Sequence, residues 1–203
     1  MANKGYTGKS GDKIREKGVF SFDYFMYNYG RFHDNSVNQL IHLVFIPTIF
    51  VTALIIFYHY TAWEELATNP LIDRFNYFDI YFLILFPCFF YVDVVVGFFF
   101  GLWSVPLICI AHALVENKEL YTLQMGETNY SLLYVASVIN IAAWIAQFWG
   151  HGFHEGRAPA LMTNLLFANF AVFFVTFEVI NHVFGYGEGP RLEVVRKAIK
   201  ADI

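Results

Sequence analysis

The chain has 203 residues, 57% of them hydrophobic, 20% aromatic and only 15% charged. A soluble domain carries about 25% charged and 45–50% apolar residues, so an excess gathered into long blocks argues against a water-soluble core and for lipid surroundings. The formal net charge of −4 implies neither nucleic acid nor a strongly charged partner.

Residues 1–18 read as a polar basic tail, with Lys4, Lys9, Lys13, Arg15 and Lys17 against Asp12 and Glu16. No apolar core at signal-peptide distance and no small-residue cleavage site is visible. A mitochondrial presequence would be richer in Arg and free of acids. Membrane insertion is therefore expected to use the first internal apolar span. Residues 20–32 are aromatic-rich but interrupted by Asp23, Asn28 and Arg31, which suits a short helix lying in the interface.

Five apolar blocks follow, to be compared with a span requirement of about 20 residues. The first covers 40–60 and holds His42 and His59 as its ionisable residues. The second and third, 80–96 and 97–115, lie almost end to end, divided by Asp93 and the Gly97/Gly101 pair, each with a proline, Pro87 or Pro106. Glycine and proline are tolerated in membrane helices where neighbours re-satisfy the backbone, so a tight helical hairpin is the simplest reading. The fourth block covers 130–149 and the fifth 161–184. Tyr58, Tyr60, Trp63, Tyr130 and Trp149 crowd the block ends, as interfacial aromatics do. Lys and Arg cluster before the first block and after the fifth, which by the positive-inside tendency puts both termini in the cytosol and calls for an even number of crossings. The fold expected is an all-α, polytopic integral membrane bundle with four to five spans and an N-terminal interfacial helix. Residues 19–184 form its single domain, followed by a polar tail over 185–203. Cys88 and Cys109 fall inside apolar blocks without metal-type spacing and read as small buried residues, not as a disulfide or zinc site.

Two polar constellations flank the spans. The first runs Tyr29-Gly-Arg-Phe-His33-Asp34-Asn35-Ser36-Val-Asn38-Gln-Leu-Ile-His42. Asn38 and His42, four apart, share one helix face. On a straight helix His33 and His42 would stand about 180° and about 13.5 Å apart. Asp34-Asn35-Ser36 is capping and turn chemistry, however, and a bend there would fold His33 back toward His42. The second constellation holds His151, His154 and Glu155 between Gly150, Gly152 and Gly156, followed by Arg157 and Pro159. If helical, His151 and Glu155 share a face; a tight turn fits the glycines equally. Histidines with a carboxylate suit a divalent first-row metal, and two or three histidines with an acid and open positions form the non-haem iron pattern. A solvated surface turn is the bland alternative. No zinc-protease spacing, nucleophile elbow or phosphate loop occurs. His112 and His182 lie in or near the third and fifth blocks, and an intramembrane pair of this kind could ligate a haem. Glu178, in the fifth block, must be neutral or paired, with a histidine or Arg157 as its candidate partner.

The string Phe32-His33 through Asn38, Leu40-Ile41-His42 and Phe45-Ile46-Pro47-Thr48 resembles the N-terminal signature of the membrane 2-hydroxy fatty acid dioxygenases. That of Gln147-Phe-Trp-Gly-His151-Gly152, Glu155, Arg157-Ala-Pro-Ala-Leu161, Asn164-Leu165 and Glu178 resembles the C-terminal one. Order and separation match over roughly residues 22–184. The resemblance places His33, His42 and His151 on the family's motif histidines and Glu155 on its motif acid. His154 stands where an aromatic residue is expected. The resemblance implies an Fe(2+) enzyme of the endoplasmic reticulum that uses O₂ to shorten a 2-hydroxy fatty acid by one carbon, an α-oxidation step in sphingoid-base degradation. On that reading His33, His42, His151 and Glu155 hold the metal, with Glu155 a ligand or a partner of the ligands. Asn38 orients His42, and Arg157 meets the substrate carboxylate as a charge-assisted donor. Apolar spans bury the acyl chain, each CH₂ contributing about 0.8 kcal/mol. The partners expected are the lipid bilayer, the hydroxy acid and O₂, with no nucleic acid. A reading from a different class stays open: a non-catalytic accessory subunit of a larger membrane complex, with a mitochondrial membrane as the alternative location.

Overall fold

The computed structural model describes residues 13–14, 16, 18, 21–60, 77–118, 121–156 and 169–202. Among these, seven α-helices occur in the order α1 (Phe22–Gly30), α2 (Ser36–Tyr60), α3 (Tyr77–Val92), α4 (Val94–Glu116), α5 (Leu132–Trp149), α6 (Ala171–Phe184) and α7 (Pro190–Asp202). A β-hairpin, β1 (Thr122–Met125) with β2 (Thr128–Ser131), precedes α5, and a π-helix, Gly150–Glu155, directly follows it. The fold is that of an all-α membrane protein. Among the described residues, three stretches are long and apolar enough to cross a bilayer: Ser36–His59, Val94–Glu116 and Leu132–Glu155. Asp79–Val92 and Ala171–Phe184 are apolar but shorter. The chain divides into two compact units, Met1–Leu43 with Gln147–Ile203 in one and Val44–Ala146 in the other.

In the first unit, Ser21 starts α1 by accepting the Tyr24 N–H at 3.2 Å, the usual work of an N-cap serine. The short N-terminal helix expected from sequence is present, and it is buried on most sides. Its aromatic residues recur at helical spacing and meet those of α6 and Phe170 just before it: Phe22 lies 5.2 Å from Phe177, Phe25 stacks on Phe170 at 4.4 Å and Tyr29 on Phe174 at 4.3 Å. Residues 190–202 look like a polar tail by composition, yet Leu192, Val195 and Ile199 form a buried stripe at the i, i+3, i+7 spacing of an amphipathic helix. That stripe packs on α1, with Ile199 against Gly30.

In the second unit, α3 and α4 form the hairpin that the end-to-end blocks predicted. Asp93 breaks them apart: its backbone is extended and its Oδ1 accepts from the Val95 and Val96 N–H groups at 3.0 Å each. A Cβ at Gly97 would stand 2.9 Å from the Phe90 backbone and one at Gly101 2.7 Å from the Phe86 ring, so small residues let the two helices close. Asn140 of α5 donates to Thr52 Oγ1 of α2 at 2.8 Å. Tyr58 donates to Asp79 Oδ1 at 2.8 Å while the His112 ring stacks on the Tyr58 ring at 3.8 Å, so His112 belongs to a tie between helix ends. Large apolar side chains such as Leu83, Phe98, Ile141 and Ile145 are exposed, as lipid-facing surfaces are. Cys88 is half-buried and Cys109 exposed, both free; the burial expected of them does not hold, because their helix faces point outward.

Candidate metal centre

The chain bends between α1 and α2, over residues 31–35, where the capping residues sit. Asn35 Oδ1 accepts from Val37 N–H at 2.9 Å and Asn38 N–H at 3.3 Å, which starts α2. The bend abolishes the half-turn that a straight helix would put between His33 and His42, and their ring centroids lie 4.4 Å apart. The π-helix brings His151 to 4.9 Å from His33 and 4.8 Å from His42. All three rings are buried, at 7%, 5% and 3% exposure, respectively. One ring nitrogen from each lies within 4.8 Å of the others.

The hydrogen bonds fix which nitrogens are offered. His33 Nδ1 lies 2.9 Å from the Tyr29 carbonyl and His42 Nδ1 2.8 Å from the Asn38 carbonyl. A carbonyl only accepts, so each Nδ1 carries the proton and each Nε2 keeps a free lone pair. His33 Nε2 and His151 Nδ1 are buried without a hydrogen-bond partner. Burial, aided by the neighbouring His42, holds the His33 ring well below its usual pKa, so it stays neutral. Buried nitrogens of this kind are costly unless something occupies them. Neutral imidazoles whose other nitrogen is tied to a backbone carbonyl are what metal ligation requires. The donor set fits a first-row divalent ion.

The other expected site residues divide. Glu155 offers no carboxylate oxygen to the converging group. Its Oε1 accepts from the Asn35 N–H at 2.8 Å and from Asn38 Nδ2 at 3.3 Å, where a carboxylate meets the positive start of α2. Asn38 is fully buried and touches His42 through its carbonyl, not its amide. Its Oδ1 lies where it leaves no space for a Cβ on Gly150. Arg157 lies outside the described residues, as do Pro159, Leu161, Asn164 and Leu165. His154 packs on Trp149 at 4.9 Å and His182 lines a neighbouring cleft; neither joins the cluster. Glu178, for which the sequence offered a histidine or Arg157 as partner, accepts from Tyr29 OH at 2.8 Å. Burial first, then the nearby Glu178, pushes that phenol well above its usual range. The Tyr29 ring stacks on His33 at 4.0 Å. Tyr29 had carried no role. Its signal was the spacing, since Tyr29/His33 and Asn38/His42 are both pairs four apart on a helical path.

The fold and site are thus those of a helical membrane protein with three convergent buried histidines that could hold a metal ion. A family model described as 2-hydroxy-palmitic acid dioxygenase Mpo1-like matches residues 19–183, and the chain belongs to that family. It is similar to the 2-hydroxy-palmitic acid dioxygenase MPO1 of Saccharomyces cerevisiae, 26% identical over 166 residues that cover 81% of each chain. No solved structure matches.

Proposed function

We propose that this protein is an iron(II)-dependent dioxygenase that shortens a long-chain 2-hydroxy fatty acid by one carbon. The observation that supports it is the convergence of His33, His42 and His151 in a chain of this family. The acid and O₂ balance to the acid one carbon shorter, CO₂ and water. C1 gives up one electron and C2 three, the four that O₂ takes, so no external reductant is needed. The three histidines would hold the metal, which when bound supplies Lewis-acid and redox chemistry for the hydroxy acid and O₂.

The chain's own residues prepare the site. The Tyr29 and Asn38 carbonyls hold two imidazoles in one tautomer, and burial keeps them from protons and bulk water. Glu155 acts here as a positioning residue that ties the π-helix to the start of α2. Arg157 is the proposed donor to the substrate carboxylate, and the endoplasmic reticulum membrane the proposed location. The test is anaerobic loading of the purified protein with iron(II), then O₂ and 2-hydroxypalmitate, with His151→Ala beside it. Pentadecanoate from the wild type alone is the expected result. Failure of the wild type to bind metal or make product would sink the reading and favour the accessory-subunit alternative.

A further inference from the structure

A cleft of about 780 Å³ opens beside His33 in the first unit, within the size range of small-molecule sites. Leu40 and Leu43 of α2, Val183 of α6 and Leu192 of α7 give it apolar walls. Arg196 and Lys200 of α7 line it as well. Four apart, they project from one helix face. Lys197, between them in sequence, is paired with Glu193 at 2.7 Å. Among the described residues, neither Arg196 nor Lys200 has an ion-pair partner. Ile199 carries this turn against Gly30, three residues before His33, so closely that a Cβ there would stand 2.5 Å from Ile199 Cδ1.

Two acids also face the cleft, Asp34 and Glu178. Glu178 is held by the Tyr29 hydroxyl, and Asp34 is exposed in the bend before α2. Among the described residues, the unpaired positive charge is therefore on α7, at one wall of a cleft of mixed lining in which the leucines and Val183 form the apolar part. Neither acid is in an ion pair with α7, so a long-chain acid can set its carboxylate on Arg196 and Lys200 and its chain against the leucines, a pairing that a neutral amphiphile does not offer.

We infer that this cleft is the binding site for a long-chain carboxylic acid, with Arg196 and Lys200 receiving the carboxylate. The inference deepens the proposed function, on which its choice of substrate class rests. The family match ends at residue 183, so this assigns acid recognition to a helix beyond the matched segment.

The test uses metal-free, full-length protein in nanodiscs of zwitterionic lipid, with binding of radiolabelled palmitate and methyl palmitate measured at equilibrium. Two charge-assisted hydrogen bonds to a carboxylate correspond to roughly 10–100-fold or more in affinity. Arg196→Gln with Lys200→Gln is expected to weaken palmitate binding by about that factor and leave the ester unchanged. The charge-keeping pair Arg196→Lys with Lys200→Arg is expected to restore most of it. No saturable palmitate binding to the wild type, no loss in the glutamine variant, or equal loss of acid and ester would each overturn the assignment. So would a loss confined to association with phosphatidylserine vesicles, which would make α7 a membrane-surface helix. Charge-dependent palmitate binding without product from the iron-loaded wild type would sink the proposed reaction and leave the cleft. Product formation with undiminished palmitate binding by the glutamine variant would do the reverse.

Discussion

Asn38 and Gly150 approach so closely that a Cβ on the glycine would stand 2.5 Å from Asn38 Oδ1. The contact joins the start of α2 to the first residue of the π-helix, with His42 hanging from the Asn38 carbonyl and His151 next to Gly150. Gly150→Ala must therefore displace either Asn38 or the π-helix. Overpacking of this kind costs about 1–3 kcal/mol, and the variant is expected to melt earlier in detergent and bind iron(II) more weakly. An unchanged melting temperature together with full metal content would show that the contact yields freely.

Alanine at His33, His42 or His151 removes one nitrogen from the cluster. Removing a residue that only orients a ligand costs about 10–100-fold in metal affinity, and losing a ligand is expected to cost more. Metal content by inductively coupled plasma mass spectrometry should fall close to background for each of the three, with the helical circular dichroism retained. Retention of stoichiometric metal by any one of them would remove that histidine from the ligand set.

Glu155 gives a sharper discrimination. Glu155→Gln keeps an acceptor for the Asn35 N–H and is expected to keep its metal. Glu155→Ala leaves that N–H without its acceptor, with an expected cost of about 0.5–2 kcal/mol and a metal affinity lower by about 10–100-fold. Should the glutamine variant lose metal as fully as His151→Ala, Glu155 is a ligand and its positioning role is wrong.

Tyr29→Phe keeps the ring stacked on His33 and Phe174 but deletes the hydroxyl that serves Glu178. A carboxyl left short of its partner costs about 1–3 kcal/mol. The double variant Tyr29→Phe with Glu178→Leu is expected to recover most of that loss, and a double-mutant cycle on thermal unfolding measures the coupling. Strict additivity would mean that the 2.8 Å contact contributes nothing.

Asp93→Ala tests the hairpin. Loss of the side chain that accepts from both Val95 and Val96 is expected to cost about 1 kcal/mol, with Asp93→Asn close to wild type. Equal stability of all three proteins would show that the Gly97–Phe90 packing alone sets the turn.

The long spans and the break at Asp93 were legible because hydropathy and capping chemistry are local properties. So was the bend that folds His33 onto His42, since Asp34-Asn35-Ser36 announces it. The hairpin of β1 and β2 was not: its residues are almost all exposed, and without a buried face the sequence carries no alternating period. The docking of α7 was hidden by its charges, although Leu192, Val195 and Ile199 stand at helical spacing. The hydrogen bonds of Glu178 and Glu155 join residues 149 and 120 positions apart, a distance over which sequence pattern is silent.

A π-helix can be seen as an α-helix that has taken in one residue more than its ladder needs. The turn at Gly150–Glu155 therefore makes the His151 site sensitive to chain length itself. Deleting Gly152 would take the extra residue out and let the segment relax to ordinary winding, which leaves the residues beyond it near their present heading but shortens the step from His151 to Glu155 by one residue. The length of chain between His151 and Glu155 is thus a property separate from the identity of either residue, and a change of one residue there would alter how the π-helix meets the start of α2 while keeping every histidine.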